Sequence, residues 1–215
     1  MPADAPHFSI LMPTFNRASF LGRALVSVVA QHEVAWELLI ADDGSGDGTP
    51  GVLADWRQRD PRIRTWRHDN RGQAASRNRL LHEARAPWIA FLDSDDELEP
   101  DHLARHREAI EADPAVDIWL SPMRVVGSSM VPCAENPGED IHLDDCIGVG
   151  MLVLRRDVML AAGGFPDLAY AEESALMQRL LADGARRGYL ARRTYVYHRN
   201  HDHSLTRGRP LSIEP

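Results

Sequence analysis

The chain has 215 residues, 44% of them hydrophobic and 26% charged, with a formal net charge of -8; this fits one globular domain with a sizeable core and argues against a general nucleic-acid binder, whose face would be basic. No apolar stretch approaches the ~20 residues that span a bilayer, and the opening MPADAPHFSI lacks the basic and apolar regions of a secretory signal, so a cytoplasmic location is expected. All 24 Lys-plus-Arg residues are Arg, which excludes a P-loop or Schiff-base lysine, and Cys133 and Cys146 form neither a close metal pair nor a disulfide framework, as in a reducing compartment.

Short apolar runs alternate with amphipathic stretches. The runs HFSILM (His7 to Met12), WELLIA (Trp36 to Ala41), IRTWR (Ile63 to Arg67), WIAFL (Trp88 to Leu92) and DIWLS (Asp117 to Ser121) predict strands. Helices are predicted over Phe20 to Gln31, Pro50 to Gln58, Gln73 to Ala84 and Asp101 to Ala112, with Leu21, Leu25, Val28 and Val29 tracing one face of the first. Thr49 is the expected cap of the second helix, with Pro50 at its first position, and Pro100 with Asp101 opens the fourth. Such alternation predicts an α/β fold with a mostly parallel sheet covered on both faces, its ligands gathered at the carboxyl ends of the strands.

The C-terminal third is less regular. Arg124 to Asp145 carries Gly, Pro, Ser and acidic residues with little periodicity and is expected to be a long excursion with room for a hairpin. A strand MLVLR (Met151 to Arg155), a helix around Asp157 to Ala162 ending at Gly163-Gly164, a helix over Glu172 to Ala182 stopped near Gly184, and a strand ending at TYVYH (Thr194 to His198) follow. The tail from Arg199 is polar and Arg-rich.

Two acidic clusters follow predicted strands. ADDGSGDGTP (Ala41 to Pro50) is a poor calcium loop, because Ala54 stands where a Glu ligand belongs and a strand precedes it. Its glycines have the wrong spacing for a dinucleotide fingerprint. It remains either an Asx-rich turn before a helix or a polar pocket in which Asp42 or Asp43 accepts a hydrogen bond from a base or ribose. In LDSDDE, Asp93, Asp95, Asp96 and Glu97 crowd within five residues. Like charges so close repel one another unless a positive group sits among them, and hard oxygen ligands of this kind suit Mg²⁺ or Mn²⁺. The bland alternative is a solvated acidic loop ahead of a helix N-terminus. An aspartyl-nucleophile phosphatase also places Asp-x-Asp after a strand, but the absence of Lys counts against it.

Five segments, ILMPTFNRASFLGRALVSVVAQ, ELLIADDGSGDGT, NRGQAASRNRLLHEARAPWIAFLDSDDELEPDHL, GGFPDLAYAEESALMQRLLADG and YHRNHDHSLT, resemble in order and spacing the family 2 glycosyltransferases of GT-A fold. The resemblance runs from about Phe8 to Thr206. It implies a single GT-A domain over 1–215, with a nucleotide-binding half at about 7–98, an acceptor and catalytic half at about 99–206 and a polar tail at 207–215. It implies that Pro13, Thr14, Asn16 and Arg17 line the nucleotide pocket, that Asp43 reads the base while Asp42 braces the turn, and that Gly72, Arg77 and Asn78 help close the base and diphosphate pocket. Asp93 and Asp95, flanking Ser94, would form the Asp-x-Asp element, with Asp95 the metal ligand, Asp93 nearer the ribose and phosphate and also counted as a ligand, and Asp96 supporting either.

Relatives commonly carry Glu-Asp in the fourth motif, with Asp as catalytic base; here the pair is Glu172-Glu173 and Glu173 holds the base position. The extra methylene moves a carboxylate by about a bond length, which matters for a base that must lie within ~3 Å of its proton. Of His198, His201 and His203, the local pattern favours His201 as a further metal ligand. The implied activity is an inverting, Mn²⁺- or Mg²⁺-dependent transfer from a nucleotide-diphosphate sugar, a UDP-sugar first, to a hydroxyl of a glycan or lipid-linked glycan in bacterial polysaccharide biosynthesis. A peripheral place at the inner face of the membrane and a homodimer are compatible with this. Two rivals remain: a non-catalytic sugar-nucleotide-binding module, which the Glu-Glu pair leaves open, and a nucleotidyltransferase, against which PTFNRASF lacks a glycine-rich phosphate loop.

Overall fold

The computed structural model describes residues 5–133, 139–168 and 172–200. Its strands are β1 (Phe8–Thr14), β2 (Trp36–Asp42), β3 (Ile63–Arg67), β4 (Trp88–Phe91), β5 (Glu97–Leu98), β6 (Ile118–Leu120), β7 (Met123–Gly127), β8 (Met130–Pro132), β9 (Asp140–His142), β10 (Leu152–Arg155), β11 (Arg187–Tyr189) and β12 (Tyr195–Arg199). Its helices are α1 (Ala18–Val29), α2 (Thr49–Arg59), α3 (Gln73–Glu83), α4 (His102–Ala112), α5 (Arg156–Ala161) and α6 (Glu172–Ala182). None is long and apolar enough to cross a membrane among the described residues.

Seven strands form one sheet in the order β11-β6-β10-β4-β1-β2-β3. The pairs β1–β2, β1–β4, β2–β3 and β6–β11 are parallel; β10 runs antiparallel to both β4 and β6. The sheet is thus mixed and mostly parallel. Every residue of β1 and β2 is buried, as continuous apolar runs in a sheet covered on both faces must be. Alternate side chains sort to opposite faces. Ile10 and Met12 of β1 pack with Leu21, Leu25 and Val28 of α1, Leu53 of α2 and Leu103 of α4. Leu11 of β1 and Leu39 of β2 pack with Leu80 and Leu81 of α3, Met159 of α5 and Leu176 and Leu180 of α6.

The irregular stretch after Arg124 holds more order than its composition implies. It contains β7, which pairs in parallel with β12, and the antiparallel hairpin β8–β9. The short strand β5, just past the acidic cluster, pairs with β12 as well, giving a second sheet of order β5-β12-β7. β12 thereby lies against the segment carrying Asp93 to Glu97, and His198 is a buried residue of that strand. Gly163 and Gly164 close α5 with positive φ, and Gly184 follows α6 in the same way, the left-handed termination that glycine permits.

Candidate active site

Register fixes where the site opens. β1 and β2 run in parallel with Thr14 beside Asp42, so the loops that leave them emerge together at one end of the sheet. Asn16 takes a left-handed φ of 52°, which Asn tolerates better than most residues. Its N–H donates to Ser45 Oγ at 2.9 Å, and its Oδ1 accepts from Gly46 N–H at 2.8 Å. Arg17 N–H donates to Thr49 Oγ1 at 3.0 Å and Ala18 N–H to Asp47 Oδ2 at 3.1 Å. The two loops are therefore one stitched unit. Asp42 Oδ1 accepts from Ser45 N–H at 2.9 Å, the brace expected of it. Thr49 is not the cap of α2: Gly48 holds that position, because the Thr49 hydroxyl is spent on Arg17 while Asp47 Oδ1 accepts the Thr49 N–H at 2.9 Å.

Asp43 is buried and already engaged. Its Oδ1 accepts from Arg71 N–H at 2.8 Å and lies 3.2 Å from His68 Nδ1, while Oδ2 accepts from Gly72 N–H at 2.9 Å. The next residue, Gln73, donates its side-chain amide to Asp93 Oδ1 at 3.2 Å. Gly72 and Gln73 thus tie one acidic turn to the other. Arg17 makes a second link, with its guanidinium 3.5 Å from Asp95 Oδ2. Both acidic turns therefore converge on one end of the sheet. Pro13, Thr14 and Ser94 are buried beside them.

Arg77, on the inward face of α3, is 1% exposed and lies among three carboxylates: Asp93 Oδ1 at 2.9 Å, Glu172 Oε1 at 3.0 Å and Glu173 Oε1 at 3.6 Å. Its guanidinium also stands over the Phe165 ring, 5.3 Å from the centroid. Burial favours loss of its proton, but the carboxylates of Asp93, Glu173 and Glu172 outweigh that and raise its pKa further. One cation cannot neutralise three anions. Burial pushes the Glu173 carboxyl up to about 7, opposed by Arg77 and reinforced by the charges of Glu172 and Asp93. Arg77, expected to help close the base and diphosphate pocket, lies where the Asp-x-Asp turn meets the start of α6.

Asn78, named with Arg77 in that expectation, bonds to the backbone of Phe165. Its Nδ2 donates to the Phe165 carbonyl at 2.9 Å and its Oδ1 accepts from Phe165 N–H at 2.8 Å. A Cβ on Gly164, whose φ is +74°, would stand 2.3 Å from that same Oδ1. Gly-Gly-Phe is thus the counterpart that lets Asn78 clamp the segment leading to α6.

Asp96 is buried and faces away from the opening, accepting from Tyr195 O–H at 2.7 Å and His198 N–H at 2.8 Å. Its pKa is raised well above the usual carboxylate range by burial and by the charges of Asp93 and Asp95. Arg23 donates to the Asp95 carbonyl and pairs with Glu97 at 3.5 Å, whose Oε1 lies 2.6 Å from His198 Nε2. No group of three His, Cys, Asp or Glu side chains able to hold a metal ion occurs among the described residues; His201, and with it His203, lies outside them. Mg²⁺ or Mn²⁺ commonly uses one or two carboxylates together with substrate phosphates. Asp95 and Asp93 are the carboxylates that would fit that arrangement, and Asp93 Oδ2 has no hydrogen-bond partner among the described residues.

The sequence profile of Glycosyl transferase family 2 matches residues 9–130, which takes in both acidic turns and covers more than half of the chain. The chain belongs to this family. Among relatives, a putative teichuronic acid biosynthesis glycosyltransferase, TuaG, of Bacillus subtilis is 36% identical over 48% of this chain and 41% of its own length. The succinoglycan biosynthesis protein ExoO of Rhizobium meliloti is 40% identical over 50% of this chain and 30% of its own. The chain thus spans less than half the length of these relatives. Among solved structures, S. aureus TarS 1-349 in complex with UDP-GlcNAc has a TM-score of 0.78 at 20% identity, covering 97% of this chain and 61% of that one. A mannosyltransferase of Pyrobaculum calidifontis in complex with GDP-Man and Mn²⁺ has a TM-score of 0.71 at 20% identity, covering 91% and 57%. The fold of this family 2 chain is GT-A.

The residues that sequence reasoning missed are Tyr195, Gln73 and Arg23. Tyr195 left one faint signal, a phenol in a strand of the core, where a buried hydroxyl must find a partner. Gln73 and Arg23 left none, because both act on groups far along the chain.

Proposed function

We propose that this chain transfers a sugar from a nucleotide-diphosphate sugar to a hydroxyl acceptor with inversion, Glu173 acting as general base. The observation that carries the reading is the Arg77 cluster, in which one buried guanidinium joins the Asp-x-Asp carboxylate Asp93 to Glu172 and Glu173. A carboxyl with a pKa of about 7 can accept a proton and release it near neutrality, the range in which a general base works best. In the proposed step, the acceptor hydroxyl gives its proton to Glu173 while its oxygen forms a bond to the anomeric carbon from the face opposite the diphosphate. The bond from that carbon to the diphosphate oxygen breaks, and the electron pair leaves with the nucleotide. Glu172, anchored on Arg77, holds the first turn of α6 in place.

Asp95, with Asp93, would hold Mn²⁺ or Mg²⁺, which when bound would offset the charge on the departing diphosphate. The joined loops at Asn16, Asp43 and Gly72 would receive the nucleotide, for which a UDP-sugar is the first choice. We propose a surface-polysaccharide glycan, free or lipid-linked, as acceptor, in line with the names of the relatives. Turnover of a panel of nucleotide sugars with Mn²⁺, by wild type and Glu173→Gln, tests the reading: the variant keeps nucleotide binding and loses turnover. Equal turnover removes Glu173 from the mechanism. Nucleotide-sugar binding without turnover in the wild type makes the chain a binding module.

A further inference from the structure

A residue outside the family-matched region completes the Asp-x-Asp turn. Tyr195 opens β12, 65 residues beyond the end of the match at 130. It is 1% exposed. Its hydroxyl accepts from Asp93 N–H at 3.1 Å and donates to Asp96 Oδ2 at 2.7 Å. Asp96 Oδ1 then takes the N–H of His198 at 2.8 Å, and Asp96 N–H donates to the Asp93 carbonyl at 3.0 Å. The phenol therefore spans the turn at its first and last aspartates.

The ring has no freedom to leave. A Cβ placed on Gly150 would stand 2.4 Å from Tyr195 Cζ and 2.5 Å from Cε2, so Gly150, in the short turn over Val149–Met151, presses its backbone on the ring. The backbone of β12 is held between β5 and β7. Three segments distant in sequence thus fix one hydroxyl.

We propose that Tyr195 is a positioning residue for divalent-cation uptake: by holding the Asp93 amide and the Asp96 carboxylate at once, it sets the direction in which the Asp93 and Asp95 carboxylates leave the turn. This rests on the functional reading above. Tyr195 touches neither substrate nor cation in that reading, and it acts through the turn. Groups that orient a metal ligand typically cost 10–100-fold in metal affinity or activity when lost.

The test is Tyr195→Phe, which keeps the ring against Gly150 and deletes the hydroxyl. Mn²⁺ uptake in the presence of UDP, or of GDP should UDP not bind, is followed by the electron paramagnetic resonance of free Mn²⁺; nucleotide binding in EDTA is measured by calorimetry. The expected result is a Mn²⁺ affinity about 10–100-fold weaker, unchanged nucleotide affinity in EDTA, and faster hydrogen exchange at the Asp93 amide. A purely structural tyrosine would lower the melting temperature and leave Mn²⁺ uptake unchanged, which would overturn the proposal while the glycosyltransferase reading stands. A wild type that takes up no Mn²⁺ with any nucleoside diphosphate overturns both. Should the Phe variant not fold, Asp96→Asn gives the same readouts, because the NH2 that replaces one carboxylate oxygen donates only and leaves either the Tyr195 O–H or the His198 N–H facing a donor.

Discussion

The two acidic turns carry three aspartates each and each follows a strand parallel to β1, yet their charges are settled by different means. At the turn after β2, the aspartates accept from backbone N–H groups: Asp42 from Ser45, Asp43 from Arg71 and Gly72, Asp47 from Thr49 and Ala18. Such bonds fix the chain, and at Asp47 those of Thr49 and Ala18 outweigh burial and hold the carboxyl below its usual range. After β4, most partners are side chains from remote elements, and one buried guanidinium, Arg77, meets the three carboxylates of Asp93, Glu172 and Glu173. The first turn is a frame. The second gathers more carboxylates around Arg77 than one guanidinium balances, and the proposed proton transfer and cation uptake rest on that.

Breaking the second region has the largest expected effect. Glu173→Gln lowers kcat about 10²–10⁴-fold, the usual worth of a general base, with nucleotide binding retained by calorimetry. Arg77→Met comes next: removing one partner of a buried ion pair costs about 3–5 kcal/mol, read by denaturant unfolding. In any folded fraction the Glu173 pKa rises further, because Arg77 is the group that holds it down, so the acidic limb of the pH–rate profile moves to higher pH.

A control away from both turns is the pair His102 and His106, packed 4.5 Å apart between ring centroids. Burial lowers both pKa values, that of His106 to about 4. The unfolded chain therefore binds more protons than the folded one below the ordinary histidine value of 6.5, and stability falls as pH drops from there towards 4. Melting temperature measured from pH 7 to pH 5 should fall by several degrees, and His106→Leu should flatten the slope. The smallest effect belongs to the frame. Asp47→Ala removes acceptors for Thr49 and Ala18 N–H and should cost about 1 kcal/mol, in the range of a lost helix cap, with kcat little changed.

How much of this was legible depended on the distance over which each feature is decided. The strands β1 to β4 and helices α1 to α4 follow from apolar period and turn residues, and the sequence places them within about two residues of where they lie. β5, β7 and β11 were not foreseen, because short strands exist through their partners: β7 pairs with β12 some 70 residues later, and β11 with β6. The residue types of the site were legible in the motif pattern, but their pairings were not. Nothing local to Arg77 says that its guanidinium meets Glu172, 95 residues away, and nothing local to Asn78 says that its amide closes on Phe165.

The adjacent pair Gly72 and Gln73 imposes a mechanical constraint. Gly72 holds Asp43 through its backbone N–H, and the next residue, Gln73, holds Asp93 through its side-chain amide. Two adjacent residues therefore give the two acidic turns a short covalent path to each other.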